Sequence, residues 1–140
     1  MCGEGTAPPN SPVPRLTLQL IPGEFALCRL PPDEPVPAWA GSAVFSSVTR
    51  TADELSLVCP AAQVPATVKA ERGWRLIKFT GPFDFGTVGV FASVAEPLAR
   101  AGISLLAVGT FDTDYVLVKA GRLDDAVRTL EIAGHSVRRE

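Results

Sequence analysis

The sequence predicts an α+β protein made of two halves with antiparallel sheets, the second complete and the first degenerate. Three observations predict it. Strand-like runs alternate with two amphipathic helical segments in the second half. The first half is rich in β-forming residues and proline. A strand–turn–strand pattern also recurs at a constant offset. With 140 residues, 46% of them hydrophobic, the chain has enough apolar side chains for a core.

The second half, residues 73–140, reads as β-α-β-β-α-β, the split βαβ or ferredoxin-like order. Apolar residues at helical spacing, each run ended by a glycine, predict two helices, from Thr87 to Gly102 and over Arg122–Ala133. Pro97 lies inside the first helix and is expected to kink it. The predicted strands are Gly73–Phe79, Ile103–Val108, Asp114–Lys119 and, at an edge, His135–Arg138.

The first half, residues 15–72, reads as a truncated copy of the second. Four prolines between Pro31 and Pro37 leave room for only one short helical turn, within Val36–Gly41. A turn at Pro22-Gly23 is expected between the first two strands. The predicted strands are Leu16–Ile21, Phe25–Leu30, Ala43–Thr49 and Glu54–Cys59. Residues 1–14, with four prolines and no apolar run, are expected to be a disordered tail.

An internal repeat supports the two halves. A shift of 60 residues lays 48–58 over 108–118, with Glu54 on Asp114 and Pro37 on Pro97. Hairpins share alternation whatever their ancestry, so the argument for duplication depends on the matched carboxylate and proline. Two such halves would leave a cleft between them, a common place for a ligand.

Composition excludes several classes of function. The net charge is −2 and the basic residues are scattered, which argues against nucleic-acid binding. No apolar run is long enough to cross a membrane, and the N-terminus does not resemble a signal peptide. The three cysteines lack disulfide-framework or zinc spacing, so Cys28 and Cys59 are interpreted as buried hydrophobes and the cytoplasm as the compartment.

Catalytic patterns are also absent from the sequence. The single histidine, His135, is predicted to lie on the surface at an edge, with no nucleophile arrangement around it. No cluster has metal-ligand spacing, and Gly81–Gly86 is not a phosphate loop. We therefore expect no enzyme activity, no cofactor and no metal.

Two segments carry a resemblance to a known family. The stretch Gly86–Ile103 resembles the first helix and following glycine turn of an ACT domain. The string Thr-Phe-x-Thr-Asp-Tyr-x-Leu-Val within Ala107–Val118 resembles the hairpin of one ACT subgroup. That subgroup includes tandem ACT proteins of bacteria, the ACT pair of aspartate kinases and a cytosolic arginine sensor of animals. The resemblance covers residues 73–134 well and residues 15–72 weakly.

The resemblance implies a regulatory protein that binds a free amino acid or a similar small metabolite without turnover. It implies a ligand carboxylate at the helix start, an ammonium at Asp114, and turn residues lining the pocket. The expected ligand-binding residues are Gly86, Thr87, Val88, Gly89, Thr110, Phe111 and Asp114. Structural roles are the alternatives: Asp114 as a turn former, the glycines as loop geometry, and Phe111 as a core or interface aromatic.

Three functions remain open from the sequence. The first is an amino-acid sensor that forms a homodimer or regulates an enzyme. The second is an ACT-like interaction or dimerisation module that has lost its ligand. The third is a small lyase or transferase that uses the cleft between the halves. Because the first half lacks a glycine-rich helix start, one ligand site is expected rather than two.

Overall fold

The computed structural model describes residues 14–80 and 88–139. Its strands are β1 (Thr17–Leu30), β2 (Ser47–Arg50), β3 (Leu55–Pro60), β4 (Ala70–Phe79), β5 (Leu106–Gly109), β6 (Asp114–Lys119) and β7 (Ser136–Arg139). Its α-helices are α1 (Val90–Arg100) and α2 (Leu123–Ile132), and three short 3₁₀ turns connect other elements. The predicted tail, apart from residue 14, lies outside the described residues.

The seven strands form one sheet in the order β2-β3-β1-β4-β6-β5, with every neighbouring pair antiparallel. Strand β7 pairs in parallel with the first residues of β1. The succession β4-α1-β5-β6-α2-β7 is the β-α-β-β-α-β order predicted for the second half. The start of β1 lies between β4 and β7, so the second half depends on a strand from the first.

Strand β1 differs from its prediction. The sequence indicated two strands joined by a turn at Pro22-Gly23, but the chain continues as one strand of 14 residues. Its pairing with β4 shifts register between Ile21 and Phe25, so the extra residues bulge out of the ladder. Strand β1 pairs with β3 in the first half and with β4 and β7 in the second. The long β1–β4 pair therefore joins the two halves into one sheet.

The two helices cover one face of the sheet at the second half. The apolar stripes of α1 and α2 pack on residues of β1, β4 and β6 that point to that side. This helix-side core contains Leu16, Leu18, Leu20, Ile77, Phe79, Val90, Val94, Leu98, Ile103, Val116, Val118, Leu123, Ala126, Val127 and Leu130. Helix α1 begins at Val90, three residues after the predicted start.

The first half has no α-helix within the described residues. The 3₁₀ turns Ala38–Ala40 and Ala61–Gln63 cover the same face of the sheet there. They enclose a second core of Ala26, Cys28, Ala40, Leu55, Leu57, Cys59 and Val64. The predicted helical turn within Val36–Gly41 is therefore confirmed.

The two described cysteines are buried free thiols, as predicted. They lie on the neighbouring strands β1 and β3. Burial raises the pKa of Cys28 and raises the pKa of Cys59 to about 11. A raised pKa keeps both thiols protonated near neutral pH, whereas the thiolate is the reactive form. These cysteines therefore act as small core residues.

In strand register, the two repeated hairpins correspond at an offset of 59 residues rather than 60. Arg50 pairs with Leu55 in the first hairpin, and Gly109 pairs with Asp114 in the second. The two turns match as well, since Thr51 N donates to Glu54 O at 2.9 Å and Thr110 N donates to Thr113 O at 2.8 Å. The structural equivalent of Asp114 is therefore Leu55, and the predicted match with Glu54 is wrong.

The prediction that His135 is a surface residue is wrong, because only 4% of it is exposed. Leu16 N donates to its Nδ1 at 3.0 Å, so the ring carries its proton on Nε2. Nε2 then donates to the carbonyl of Ser93 at 2.8 Å. His135 thus fastens the start of β1 to the first turn of α1.

The same contact explains how Pro97 fits inside α1. Proline has no N–H to donate to the carbonyl four residues earlier, which here belongs to Ser93. His135 supplies the missing donor from outside the helix. From the sequence, Pro97 interrupts the helical pattern; in the structure, the Ser93 carbonyl that Pro97 leaves unpaired has a donor in His135.

Candidate functional site

The candidate site lies at one end of the sheet, where β4 and β5 end and β6 begins. Lys78 pairs with Tyr115, and the Thr113 hydroxyl donates to the carbonyl of Phe79, so the end of β4 lies beside the start of β6. Helix α1 links β4 to β5, which run in the same direction on either side of β6. In such a crossover the helix returns antiparallel to the strands, which brings its N-terminus to this end of the sheet.

Asp114 points toward the helix-bearing face. Side chains alternate along a strand, and the next residues on the same side of β6, Val116 and Val118, belong to the helix-side core. Its carboxylate lies over Gly109, where a Cβ would come within 3.3 Å of Asp114 Oδ1. Within the described part of the chain, this carboxylate makes no hydrogen bond or ion pair.

The turn before Asp114 is held by other residues. Thr110 Oγ1 lies 3.0 Å from the Thr113 carbonyl and 3.2 Å from the Thr113 amide. Phe111, at the tip, is 80% exposed and is therefore not part of this chain's core. The turn does not use the Asp114 carboxylate for its own geometry.

Among the described residues, no side chain caps the start of helix α1. Its N-cap residue, Gly89, has φ +84°, a left-handed conformation that favours glycine. The first intrahelical bond runs from Ser93 N to Gly89 O at 2.9 Å, which leaves the N–H groups of residues 90–92 without helical partners. Val88, just before the cap, is 67% exposed.

The structure brings the described site residues to the same end of the sheet. Gly89 and Val88 lie at the start of α1, and Thr110, Phe111 and Asp114 lie on the β5–β6 hairpin. Gly86 and Thr87 lie outside the described residues.

Sequence reasoning missed Gly109 as a site residue. It is directly opposite Asp114, and a side chain there would press on the carboxylate. Recognising the Thr110–Thr113 turn would have revealed it, because the residues flanking a hairpin turn pair with each other. His135 was missed as the residue that fixes α1 because its partners are a distant amide and carbonyl, which leave no sequence pattern.

The described ranges offer neither a metal-ion cluster nor a membrane-spanning helix. No group of three or more His, Cys, Asp or Glu residues there could hold a metal ion. No helix there is long and apolar enough to cross a membrane.

Comparison with protein families identifies the second part of the chain. A family model described as an ACT domain matches residues 69–131, which include the candidate site. A second family model, described as an N-terminal domain, matches residues 23–67. The chain is also 41% identical to a crystallised protein from Agrobacterium tumefaciens, with a TM-score of 0.87 over 91% of this chain and 96% of that one. Residues 69–131 belong to the ACT-domain family.

Other solved structures share the fold of this ACT-domain protein. The regulatory subunit of aspartate kinase from Thermus thermophilus matches with a TM-score of 0.54 and 12% identity, over 79% of this chain and 91% of that one. Antiparallel strands with helices on one face are thus common to both. At this identity the likeness concerns the fold alone.

A curated relative matches part of the sequence. The human cytosolic arginine sensor for mTORC1, subunit 1, is 34% identical over 59 residues. The match covers 41% of this chain and 18% of the sensor, so the ACT-domain protein spans less than a fifth of that relative.

Proposed function

We propose that this protein is a non-catalytic regulator that binds a free amino acid at the end of the sheet where α1 begins. The ammonium of the ligand binds the carboxylate of Asp114, and its carboxylate binds the N-terminus of α1. The observation that carries the proposal is the Asp114 carboxylate, which makes no hydrogen bond or ion pair among the described residues.

The unpaired carboxylate argues against a purely structural role for Asp114. A turn-forming aspartate hydrogen-bonds to nearby backbone amides, but Thr110 performs that task here. The carboxylate is also only partly exposed, which makes it more costly to leave unpaired than a fully solvated one. A cationic ligand group would supply the missing partner.

The start of α1 suits the opposite end of an amino acid. Free N–H groups and the helix dipole favour an anion at this position, and no side chain of the described residues caps it. Each charge-assisted hydrogen bond is worth roughly 1.5–3 kcal/mol. Two or three of them, after the costs of association, give micromolar to millimolar affinity, which is the range of free metabolites.

The first half supports one site per chain. Leu55 occupies the position equivalent to Asp114 and is fully buried in the second core. A leucine cannot bind an ammonium group, so the first hairpin lacks the acidic group that the proposal requires. In this proposal the first half completes the sheet without binding a ligand. We also propose that the two halves divide near residue 72.

The relatives guide the choice of ligand and setting. One relative is named a cytosolic arginine sensor, and a protein that shares the fold is named a regulatory subunit of aspartate kinase. By analogy we propose an amino-acid ligand, a cytoplasmic location, and a signal passed to a second copy of the chain or to a regulated enzyme. An interaction module that has lost its ligand is the competing function.

A thermal-shift panel of the common amino acids tests the proposal. At about 100 times its Kd, a ligand adds about 2.7 kcal/mol of stability, a shift of several degrees for a domain of this size. Asp114→Asn is expected to abolish the shift while leaving the Tm of the free protein nearly unchanged. Asp112→Asn, in the same turn, is the matched control and should keep the shift. If no amino acid in the panel shifts the Tm, the interaction module is favoured instead.

A further inference from the structure

A second feature of the helix-bearing face concerns Arg75 on β4. Its Nε is buried and has no hydrogen-bond partner. The guanidinium as a whole forms no ion pair or hydrogen bond with any described residue. A buried N–H without an acceptor is costly and uncommon in folded proteins.

Arg75 lies where two parts of the structure meet. It pairs with Val118 on one side, and on the other it faces the stretch where β1 and β4 lose register between Ile21 and Phe25. Along β4 it stands between Ile77 of the helix-side core and Ala70, which packs against the second core. We call this strip between the two cores the seam.

The seam carries a second uncompensated positive charge. The bulge at Gly73, with φ +82°, turns Arg72 to the same face as Arg75. Arg72 donates to the carbonyls of Ala61, Val64 and Pro65, which are neutral acceptors. The nearby Glu71 pairs with Lys119, which stacks on the ring of Trp74 on the opposite face. No described carboxylate therefore neutralises either arginine.

We propose that the seam binds a small oxyanion, a carboxylate or a phosphate, through the guanidinium of Arg75. The planar guanidinium can donate two parallel hydrogen bonds to the oxygens of these anions. Arg72 adds positive electrostatic potential, because no ion pair neutralises its charge. The site is separate from the one at Asp114. Asp114 is four residues before Val118 on β6, about 13 Å along the strand. The fully buried Val116 lies between them on the same face.

The test uses the full chain, with inorganic phosphate and acetate as two separate probes and sodium chloride to match ionic strength. In wild type, one or both probes should raise Tm in a saturable way and shift the Arg75 Nε–H resonance in the NMR spectrum. The probe that saturates at the lower concentration identifies the class of anion. The NMR readout needs no variant, so it remains valid even where a substitution impairs folding.

Three variants make the result specific. Arg75→Leu should lose the response and should keep or increase Tm in buffer without oxyanion, because it removes an unpaired guanidinium. Arg100→Gln, an exposed arginine on α1, is the matched control and should respond as wild type does. Asp114→Asn should also respond as wild type does, which separates this site from the amino-acid site.

Four outcomes would overturn the inference. The first is an Nε–H resonance that neither anion moves. The second is a full response in Arg75→Leu, which would place the anion elsewhere on the surface. The third is loss of the response in Asp114→Asn, which would merge the two sites. The fourth is a large fall in Tm of Arg75→Leu without anion, together with an unresponsive wild type, which would make Arg75 a structural residue.

Discussion

At the scale of single residues, the candidate site depends on a pair of neighbours across one hairpin. Gly109 and Asp114 face each other at the end of β5 and β6, and the absence of a side chain on Gly109 gives the carboxylate its position. Gly109 does not need a left-handed backbone, since its φ is not positive. Its role is therefore to leave space, and an alanine can replace it without backbone strain.

Gly109→Ala tests that role. The new Cβ would lie 3.3 Å from Asp114 Oδ1, so the carboxylate must move by a few tenths of an ångström. We expect ligand affinity to fall about tenfold, the equivalent of about 1.4 kcal/mol, with little change in the free energy of unfolding. Calorimetric titration and urea unfolding measure the two effects. Gly121→Ala, whose Cβ would meet nothing, is the control. Unchanged affinity in Gly109→Ala would detach the Asp114 carboxylate from the ligand.

At the scale of elements, α1 is held in place by a residue from another part of the chain. Pro97 leaves the carbonyl of Ser93 without its helical donor, and His135 provides one while accepting from Leu16 N. Because the N-terminus of α1 forms half of the candidate site, this buried histidine affects the site without touching it. It is a positioning residue.

A double-mutant cycle tests the link between Pro97 and His135. His135→Leu should cost about 1–3 kcal/mol of unfolding free energy, since an amide and a carbonyl lose their partners. In the Pro97→Ala background the cost should be smaller, because residue 97 then donates to Ser93 within the helix. We expect a coupling energy of at least about 0.5 kcal/mol by urea denaturation. Glu96→Ala, an exposed neighbour, should be additive with His135→Leu. Additivity for Pro97 as well would refute the link.

The elements also show what the sequence could and could not predict. Periodicity was enough for β6 and α2, because their buried stripes are local and their ends carry strand-start or glycine signals. Periodicity gave the wrong result at Pro22-Gly23, where a chain reversal was predicted. Proline and glycine also form bulges, and here the runs on both sides pair with the one long strand β4. The role of His135 depends on hydrogen-bond partners that are distant in the sequence. The role proposed for Arg75 depends on its lack of a partner. Neither leaves a local sequence pattern.

The candidate site divides in the same way. Asp114 and the start of α1 were predicted through the resemblance to the ACT domain, and both lie at one end of the sheet. Gly109 required the hairpin register, since an error of one residue in the repeat assigned the wrong partner to Asp114.

At the scale of the whole molecule, the shared strands make the two halves interdependent. The start of β1 separates β4 from β7 and contributes Leu16, Leu18 and Leu20 to the helix-side core. Without β1, β7 has no described strand to pair with. The ACT-like second half is therefore not expected to be an independent folding unit.

A fragment of residues 69–140 tests this interdependence. It keeps both helices but lacks β1, so it should show little helical circular dichroism and no cooperative thermal transition. The full chain should unfold in one transition that coincides by fluorescence and circular dichroism. A stable, cooperatively folding fragment would contradict the expectation and establish the second half as a separate domain.

Binding of an amino acid between Asp114 and the N-terminus of α1 can be followed by NMR titration of the full chain. We expect at least one amino acid to produce saturable shifts of the backbone amides at Gly89 and Val90 and at Asp114. The same compound without its amino group, or without its carboxylate, should produce much weaker shifts at these positions. Absence of saturable shifts with every amino acid, or saturable shifts confined to other parts of the sheet, would show that no amino acid binds at this position.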